Sequence, residues 1–247
     1  VNALDDWDKP IGKDRLRSFK LLREIVANAY DADQEFVIDW AHETAPPEAG
    51  QTCVYLSYVP EFDFLFKNLS RYFKIFEGVN FFQAYNTKKS GLVKLYERSD
   101  PEYTRLFVCG MLAHCGGGTS AFDYSFDDKE LISEERTIKD WRELLARVYE
   151  ALGFLADPIL AQHIILALFD NESLEREAVS VMHKGIPRTI LQKDAETKKA
   201  WKDAWNVIFG ENTIIGGVSP DIDLTCSDTG YKVVNPTGFQ GKEVTLS

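Results

Sequence analysis

Three polar side chains, Glu24, Asn28 and Asp31, are spaced so that they lie along one edge of a predicted helix. At 100° per residue they fall in a stripe roughly 60° wide. A carboxylate can orient and deprotonate an attacking water. A neutral amide oxygen can complete the oxygen shell of Mg²⁺, and the metal then stabilises charge during phosphoryl transfer. These residue types at this spacing are typical of metal-assisted ATP hydrolysis.

The helix that must position these side chains is predicted to begin with Asp14 as its cap and to run to about Asp31. Five apolar residues fill an adjacent arc of about 140°: Leu21, Leu22, Ile25, Val26 and Ala29. Asn and Asp are mediocre helix formers, so two of them on one edge need a reason. The alternative to a nucleotide site is an amphipathic helix whose polar residues are simply solvated.

Further elements are predicted from periodicity and from breaker residues. In the first half, strands are expected at residues 35–40, 52–58, 92–96 and 105–111, with a helix at 61–77. Residues 116–118, all glycine, are expected to form a flexible joint. In the second half, a helical stretch is expected from Ser133 to about Ala178 with breaks at Gly153 and Pro158. It is followed by a helix at 200–209 and by strands at 213–215 and 231–234.

The segment at residues 21–33 resembles the N-box of the GHKL ATPases, the group that includes DNA gyrase B, MutL, the ninety-kilodalton heat-shock chaperone and the histidine kinases. Their pattern is Glu-x-x-x-Asn-x-x-Asp-Ala, which is matched here by Glu24, Asn28, Asp31 and Ala32. The resemblance implies an α/β sandwich of the Bergerat type with ATP and Mg²⁺ as cofactors. It also implies Glu24 as general base, Asn28 as Mg²⁺ ligand and Asp31 as a nucleotide-pocket residue.

Two more segments carry a softer resemblance to the same family. Residues 50–56 are similar to the strand that follows the ATP lid, and residues 124–137 are similar to the end of the transducer region in the phage rapid-lysis A proteins. In several relatives a transducer lysine reaches the γ-phosphate, and the resemblance offers Lys88 for that role. The alternative for Lys88 is a charged hairpin loop.

The predicted architecture therefore has four parts in an α/β fold. Residues 1–58 form the GHKL-type nucleotide-binding part, and residues 59–150 form a transducer-like α/β region that resembles MutL. Residues 151–197 form a helical segment, and residues 198–247 form a small C-terminal α/β module.

The chain also departs from the family pattern. It has no Asp-x-Gly-x-Gly box after the first strand, and too few residues separate Trp40 from Gly50 for that box and a glycine-rich lid. Either a mobile lid segment is missing from this chain between Trp40 and Thr52, or the protein is a degenerate member that has lost the lid. The first interpretation predicts a Mg²⁺-dependent ATPase that switches conformation or dimerises. The second predicts a non-hydrolysing scaffold or regulatory protein.

Composition limits the other classes of function. The formal net charge is −11, so a broad nucleic-acid-binding surface is not expected. No apolar run approaches the roughly 18 residues that a membrane span needs, and acidic residues stand where a signal peptide would be basic. We therefore expect a cytoplasmic protein with reduced cysteines. The resemblance to the GHKL family implies adenine nucleotide as its partner and is compatible with a homodimer.

Overall fold

The computed structural model describes residues 13–32, 38, 52–76, 81–87, 91–98, 101–134, 136–182, 194–215, 230 and 232–234 of the chain. Within these residues, α-helices combine with a five-stranded mixed sheet and a two-stranded sheet. The mixed α and β class predicted from the sequence is confirmed. No helix in the described ranges is long and apolar enough to cross a lipid bilayer.

Seven α-helices are described, and most of the later ones begin at a side chain that caps them. Asp140, Asp157, Ser173 and Asp194 each accept a hydrogen bond from a backbone N–H of the first turn, which typically stabilises a helix by about 1 kcal/mol. The helices are α1 (Lys13–Asp31), α2 (Pro60–Lys67), α3 (Leu69–Tyr72), α4 (Trp141–Leu152), α5 (Pro158–Phe169), α6 (Leu174–Val181) and α7 (Ala195–Phe209).

The larger sheet has the strand order β1-β2-β5-β3-β4. Its strands are β1 (Gln83–Thr87), β2 (Gly91–Tyr96), β3 (Tyr103–Val108), β4 (Met111–Gly117) and β5 (Asp123–Phe126). Neighbouring strands are antiparallel except for β3 and β5, which are parallel. The strands predicted near residues 213–215 and 231–234 are present as β6 (Thr213–Ile215) and β7 (Lys232–Val234), which pair in parallel.

The predicted strand at residues 52–58 is wrong. These residues have no regular secondary structure and expose their side chains, among them Val54, Tyr55 and Tyr58. Residues with high β-propensity form a strand only where a neighbouring strand pairs with them, and no described strand pairs with this segment. The resemblance of residues 50–56 to a strand after an ATP lid is therefore not supported. Of residues 33–51 only Ile38 is described, so the predicted strand at 35–40 and the lid lie outside the described residues.

Three further boundaries differ from the prediction. The helical stretch begins at Trp141 and not at Ser133, because Asp140 caps α4 while Ser133 accepts a hydrogen bond from the N–H of Thr137. The helix predicted at residues 61–77 is divided into α2, α3 and a 3₁₀ turn at Lys74–Phe76. Two glycines of the predicted joint belong to β4, where Gly116 and Gly117 pair with β3.

The core extends from α1 to α7 through the larger sheet. On α1, Phe19, Leu22 and Val26 are buried, and the Phe19 ring packs 5.2 Å from that of Tyr72. Leu21, expected in the buried arc, is 47% exposed, so the buried face is turned toward Phe19 and away from Leu21. One cluster of buried residues includes side chains from every one of the four predicted parts, and the division into parts stays a prediction.

Charged side chains are also buried beside the sheet. The Lys74 ammonium lies 3.6 Å from a carboxylate oxygen of Asp123, and both side chains are buried. The same ammonium lies 4.9 Å from the ring centroid of Tyr96 and 5.2 Å from that of Phe107. Burying a charged pair is costly, so each member depends strongly on the other.

A glycine at the turn between β3 and β4 is required by its surroundings. Gly110 has a φ of +71°, and a Cβ added there would lie 2.1 Å from Cγ2 of Ile75. Left-handed backbone costs a residue with a side chain about 1–2 kcal/mol, and the overlap adds to that cost. We expect Gly110→Ala to lower the free energy of unfolding by about 2 kcal/mol or more, measured by urea denaturation.

The matched control for this substitution is Gly117→Ala, because a Cβ at Gly117 meets no atom within 4 Å. We expect the control to change stability by less than about 0.5 kcal/mol, as surface substitutions usually do. Equal effects of the two substitutions would contradict the assigned turn geometry.

Candidate functional site

The exposed edge of α1 carries the three polar residues singled out in the sequence. Glu24, Asn28 and Asp31 are all exposed, while Leu22 and Val26 on the opposite side are buried. Four residues of helix rise about 6 Å, so Glu24 and Asn28 lie one turn apart on this edge. The structure therefore brings the three residues onto one accessible surface, which we call the α1 edge.

Glu24 has a cationic neighbour on the same helix. Nη2 of Arg23 lies 3.5 Å from Oε1 of Glu24, and the Arg23 side chain is buried while that of Glu24 is 50% exposed. Burial lowers the pKa of the Arg23 guanidinium, and the charge of Glu24 opposes that shift. The Arg23 guanidinium also lies 5.9 Å from the Phe19 ring centroid. Arg23 thus connects the buried face of α1 to the carboxylate on its exposed edge.

Asp31 is held by two cations that lie far away in the sequence. Lys129 Nζ donates to Oδ1 at 2.8 Å, and Arg136 Nη2 donates to Oδ2 at 2.5 Å. These hydrogen bonds hold the pKa of the Asp31 carboxyl below its usual value, with that from Lys129 as the larger cause. Asp31 in turn raises the pKa of the Lys129 ammonium. Both oxygens of this carboxylate are therefore engaged.

The end of α1 also meets the turn between β3 and β4. Burial raises the pKa of Tyr30 to about 12, and Cys109 contributes to the shift. Burial likewise raises the pKa of the Cys109 thiol to about 11, with Asp127 as the next cause. Lys129 Nζ lies 5.4 Å from the Tyr30 ring centroid. A thiol and a phenol with raised pKa values remain protonated at neutral pH, so neither is an activated nucleophile.

The segment that contains Lys129 and Arg136 is linked to α4 by an ion pair between Asp128 and Arg147. Nη2 of Arg147 lies 3.2 Å from Oδ2 of Asp128 and 2.9 Å from Oε1 of Glu143. Asp128 also caps the short 3₁₀ turn at Lys129–Leu131. The position of Lys129 next to α1 therefore depends on the packing of α4.

Lys88, expected as a phosphate-binding residue, lies outside the described residues. It falls between Thr87 and Gly91, which pair at the ends of β1 and β2. Its role stays a prediction.

The α1 edge fits the magnesium that the resemblance implies through Asn28. Mg²⁺ prefers oxygen ligands and keeps several waters, so one amide oxygen beside a nucleotide's phosphates is a suitable protein ligand. The Asn28 amide is exposed on the α1 edge, and the Glu24 carboxylate, implied as the general base, lies one turn away. The Asp31 carboxylate, implied as a nucleotide-pocket group, is bound by Lys129 and Arg136. No cluster of three or more His, Cys, Asp or Glu suited to a metal occurs within the described ranges.

The sequence reasoning missed Lys129 and Arg136. They contact Asp31 across 98 and 105 residues, and no helical or strand periodicity relates residues at such separations. One signal was available, since the last turn of α1 ends in Asp31 and contains no basic residue. A helix C-terminus carries partial negative charge, so an acidic residue there is destabilising unless a positively charged side chain from another part of the chain lies beside it.

Comparisons of the chain with protein-family models, curated proteins and solved structures find no match.

Proposed function

We propose that this protein binds adenine nucleotide together with Mg²⁺ at the α1 edge, and that it hydrolyses ATP to drive a conformational or dimerisation switch. Glu24 is the general base, and Asn28 supplies an oxygen ligand to the metal. When bound, the metal would neutralise charge on the phosphates.

One observation carries this proposal. Glu24 and Asn28 are exposed one turn apart on a helix whose other side is buried in the core. A rigid helix can hold two catalytic oxygens in a fixed relation better than a loop can. The resemblance of Glu24, Asn28, Asp31 and Ala32 to the GHKL N-box favours Mg-ATP as the ligand.

A second candidate function is supported by a different observation. Asp31, the third member of the motif, is engaged by Lys129 and Arg136, and residues 52–58 do not form the expected strand. A degenerate GHKL fold that acts as a non-hydrolysing scaffold or regulatory protein would retain the helix and use Asp31 to hold the structure together.

Thermal unfolding in the presence of nucleotide tests the first candidate. A ligand that binds only the folded state stabilises it by about 2.7 kcal/mol at a hundredfold excess over the dissociation constant. For a chain of this size that corresponds to a rise in Tm of about 5–10 °C. We expect Mg-ATP to produce this rise, and ATP with EDTA to produce a much smaller one. Identical melting curves with and without saturating Mg-ATP would support the scaffold.

A further inference from the structure

The C-terminal end of α1 is stabilised from outside the helix. Asp31 is its last residue, and its last turn contains no basic side chain. The negative end of the helix dipole and the Asp31 carboxylate repel each other. Lys129 and Arg136 supply the positive charge that the helix lacks. They approach from the segment after β5, which is distant in sequence.

This contact uses the carboxylate that shares the α1 edge with Glu24 and Asn28. Lys129 binds one oxygen of Asp31 and Arg136 binds the other. Each oxygen keeps a further lone pair, but a nucleotide group that hydrogen-bonds to Asp31 must share or displace the two cations that already lie against it. Contact with the two cations and contact with a ligand therefore compete for the same group.

Side-chain exposure and backbone conformation bear on how easily Asp31 can separate from Lys129 and Arg136. The Lys129 side chain is 55% exposed and that of Asp31 is 36% exposed, so this pair contributes little to stability, whereas the Arg136 side chain is only 17% exposed. Arg136 has a φ of +60°, a left-handed conformation that is uncommon for residues other than glycine. Its Nε is buried and has no hydrogen-bond acceptor in the described part of the chain. Both features carry a free-energy cost in the state in which Arg136 contacts Asp31.

We propose that Asp31, Lys129 and Arg136 form a clamp that opposes nucleotide binding, so that binding at the α1 edge and opening of the clamp are coupled. The inference rests on the proposed function. The clamp closes on Asp31 in the unliganded protein, and Mg-ATP binds the state in which Asp31 is released. By linkage, the energy that holds the clamp closed is subtracted from the affinity for nucleotide.

The test compares Mg-ATP affinity in wild type and in the Lys129→Ala/Arg136→Gln double variant by calorimetry. We expect the double variant to bind about three- to tenfold more tightly, the range expected for losing one exposed and one partly buried ion pair. The matched control is Lys139→Ala/Arg142→Ala, which removes two exposed positive charges nearby without touching Asp31. We expect the control to bind equally or slightly more weakly, because it only reduces the attraction of the protein for an anion.

A second measurement needs no nucleotide. Hydrogen exchange of the amides in residues 127–139 should be faster in Asp31→Asn than in wild type, because the clamp no longer orders that segment. Unchanged exchange would overturn the clamp. So would weaker binding by the double variant, which would place Lys129 and Arg136 on the nucleotide itself. If neither protein binds Mg-ATP, the proposed function fails and the clamp is not a regulator. Faster exchange in Asp31→Asn would then identify it as a structural contact alone.

Discussion

Replacing Asp123 with alanine is expected to lower the free energy of unfolding by about 3–5 kcal/mol, the usual cost of removing one partner of a buried ion pair. The reason is the position of Lys74, whose ammonium is buried 3.6 Å from the Asp123 carboxylate and against the rings of Tyr96 and Phe107. Removing the carboxylate leaves the buried Lys74 ammonium beside aromatic rings without the negative charge of Asp123. Since domains are stable by only about 5–15 kcal/mol, this loss would be a large fraction of the total.

Urea denaturation would measure the change, provided that the slope of the transition is the same for both proteins. The Lys74→Met/Asp123→Leu double variant is the informative companion, because it removes both charges and keeps the volume apolar. Replacing a buried pair in this way is often neutral or stabilising, so we expect the double variant to recover most of the loss. A cost below about 1 kcal/mol for Asp123→Ala would contradict the buried pair.

Replacing Glu24 with alanine is expected to lower kcat for ATP hydrolysis by about 10²–10⁴-fold, the usual contribution of general acid–base catalysis. A base acts on the water only in the transition state, so its loss should leave the affinity for Mg-ATP nearly unchanged. Release of phosphate under saturating Mg-ATP measures the first quantity, and calorimetry measures the second. Because Arg23 lies 3.5 Å from Glu24, the stability of the variant must be measured alongside.

Asp203→Ala is the control for this substitution, since it removes an exposed carboxylate on α7, outside the α1 edge. Its turnover should equal that of wild type. Undiminished turnover in Glu24→Ala would mean that another residue positions the water. Bound nucleotide without any turnover in wild type would support the scaffold and would leave Glu24 without a catalytic role.

The sequence predicts the elements whose residues interact locally. The end of α1 at Asp31 follows from its periodicity, although Asp14 lies inside the helix and is not the cap that was expected. The breaks at Gly153 and Pro158 fall where α4 ends and α5 begins. Strand β2 and the C-terminal pair β6 and β7 lie close to their predicted positions. In each case the signal is a helical or strand periodicity, or a breaker residue, within a short window. The single strand expected at residues 105–111 is wrong, because it spans the turn between β3 and β4, and β4 was not predicted.

The remaining features depend on contacts between distant residues. Residues 52–58 have the composition of a strand, but pairing decides whether a strand forms. Leu21 was expected in the buried arc and Phe19 was not, but the rings of Tyr72 and Phe73 pack against Phe19 and leave Leu21 exposed. The candidate site divides in the same way. Helix geometry places Glu24 and Asn28 on one edge of α1, whereas the contacts of Asp31 with Lys129 and Arg136 depend on residues that are distant in the sequence.

The most direct test of the account is a calorimetric titration of wild type and Asn28→Ala with Mg-ATP, with Asn212→Ala as an exposed asparagine control. Loss of even an outer-shell partner costs about 10–100-fold in metal affinity, so loss of an inner ligand should cost at least about tenfold. The account predicts saturable binding by wild type and by Asn212→Ala, and binding at least about tenfold weaker by Asn28→Ala. Equal affinity in all three proteins, or no binding by wild type, would contradict it.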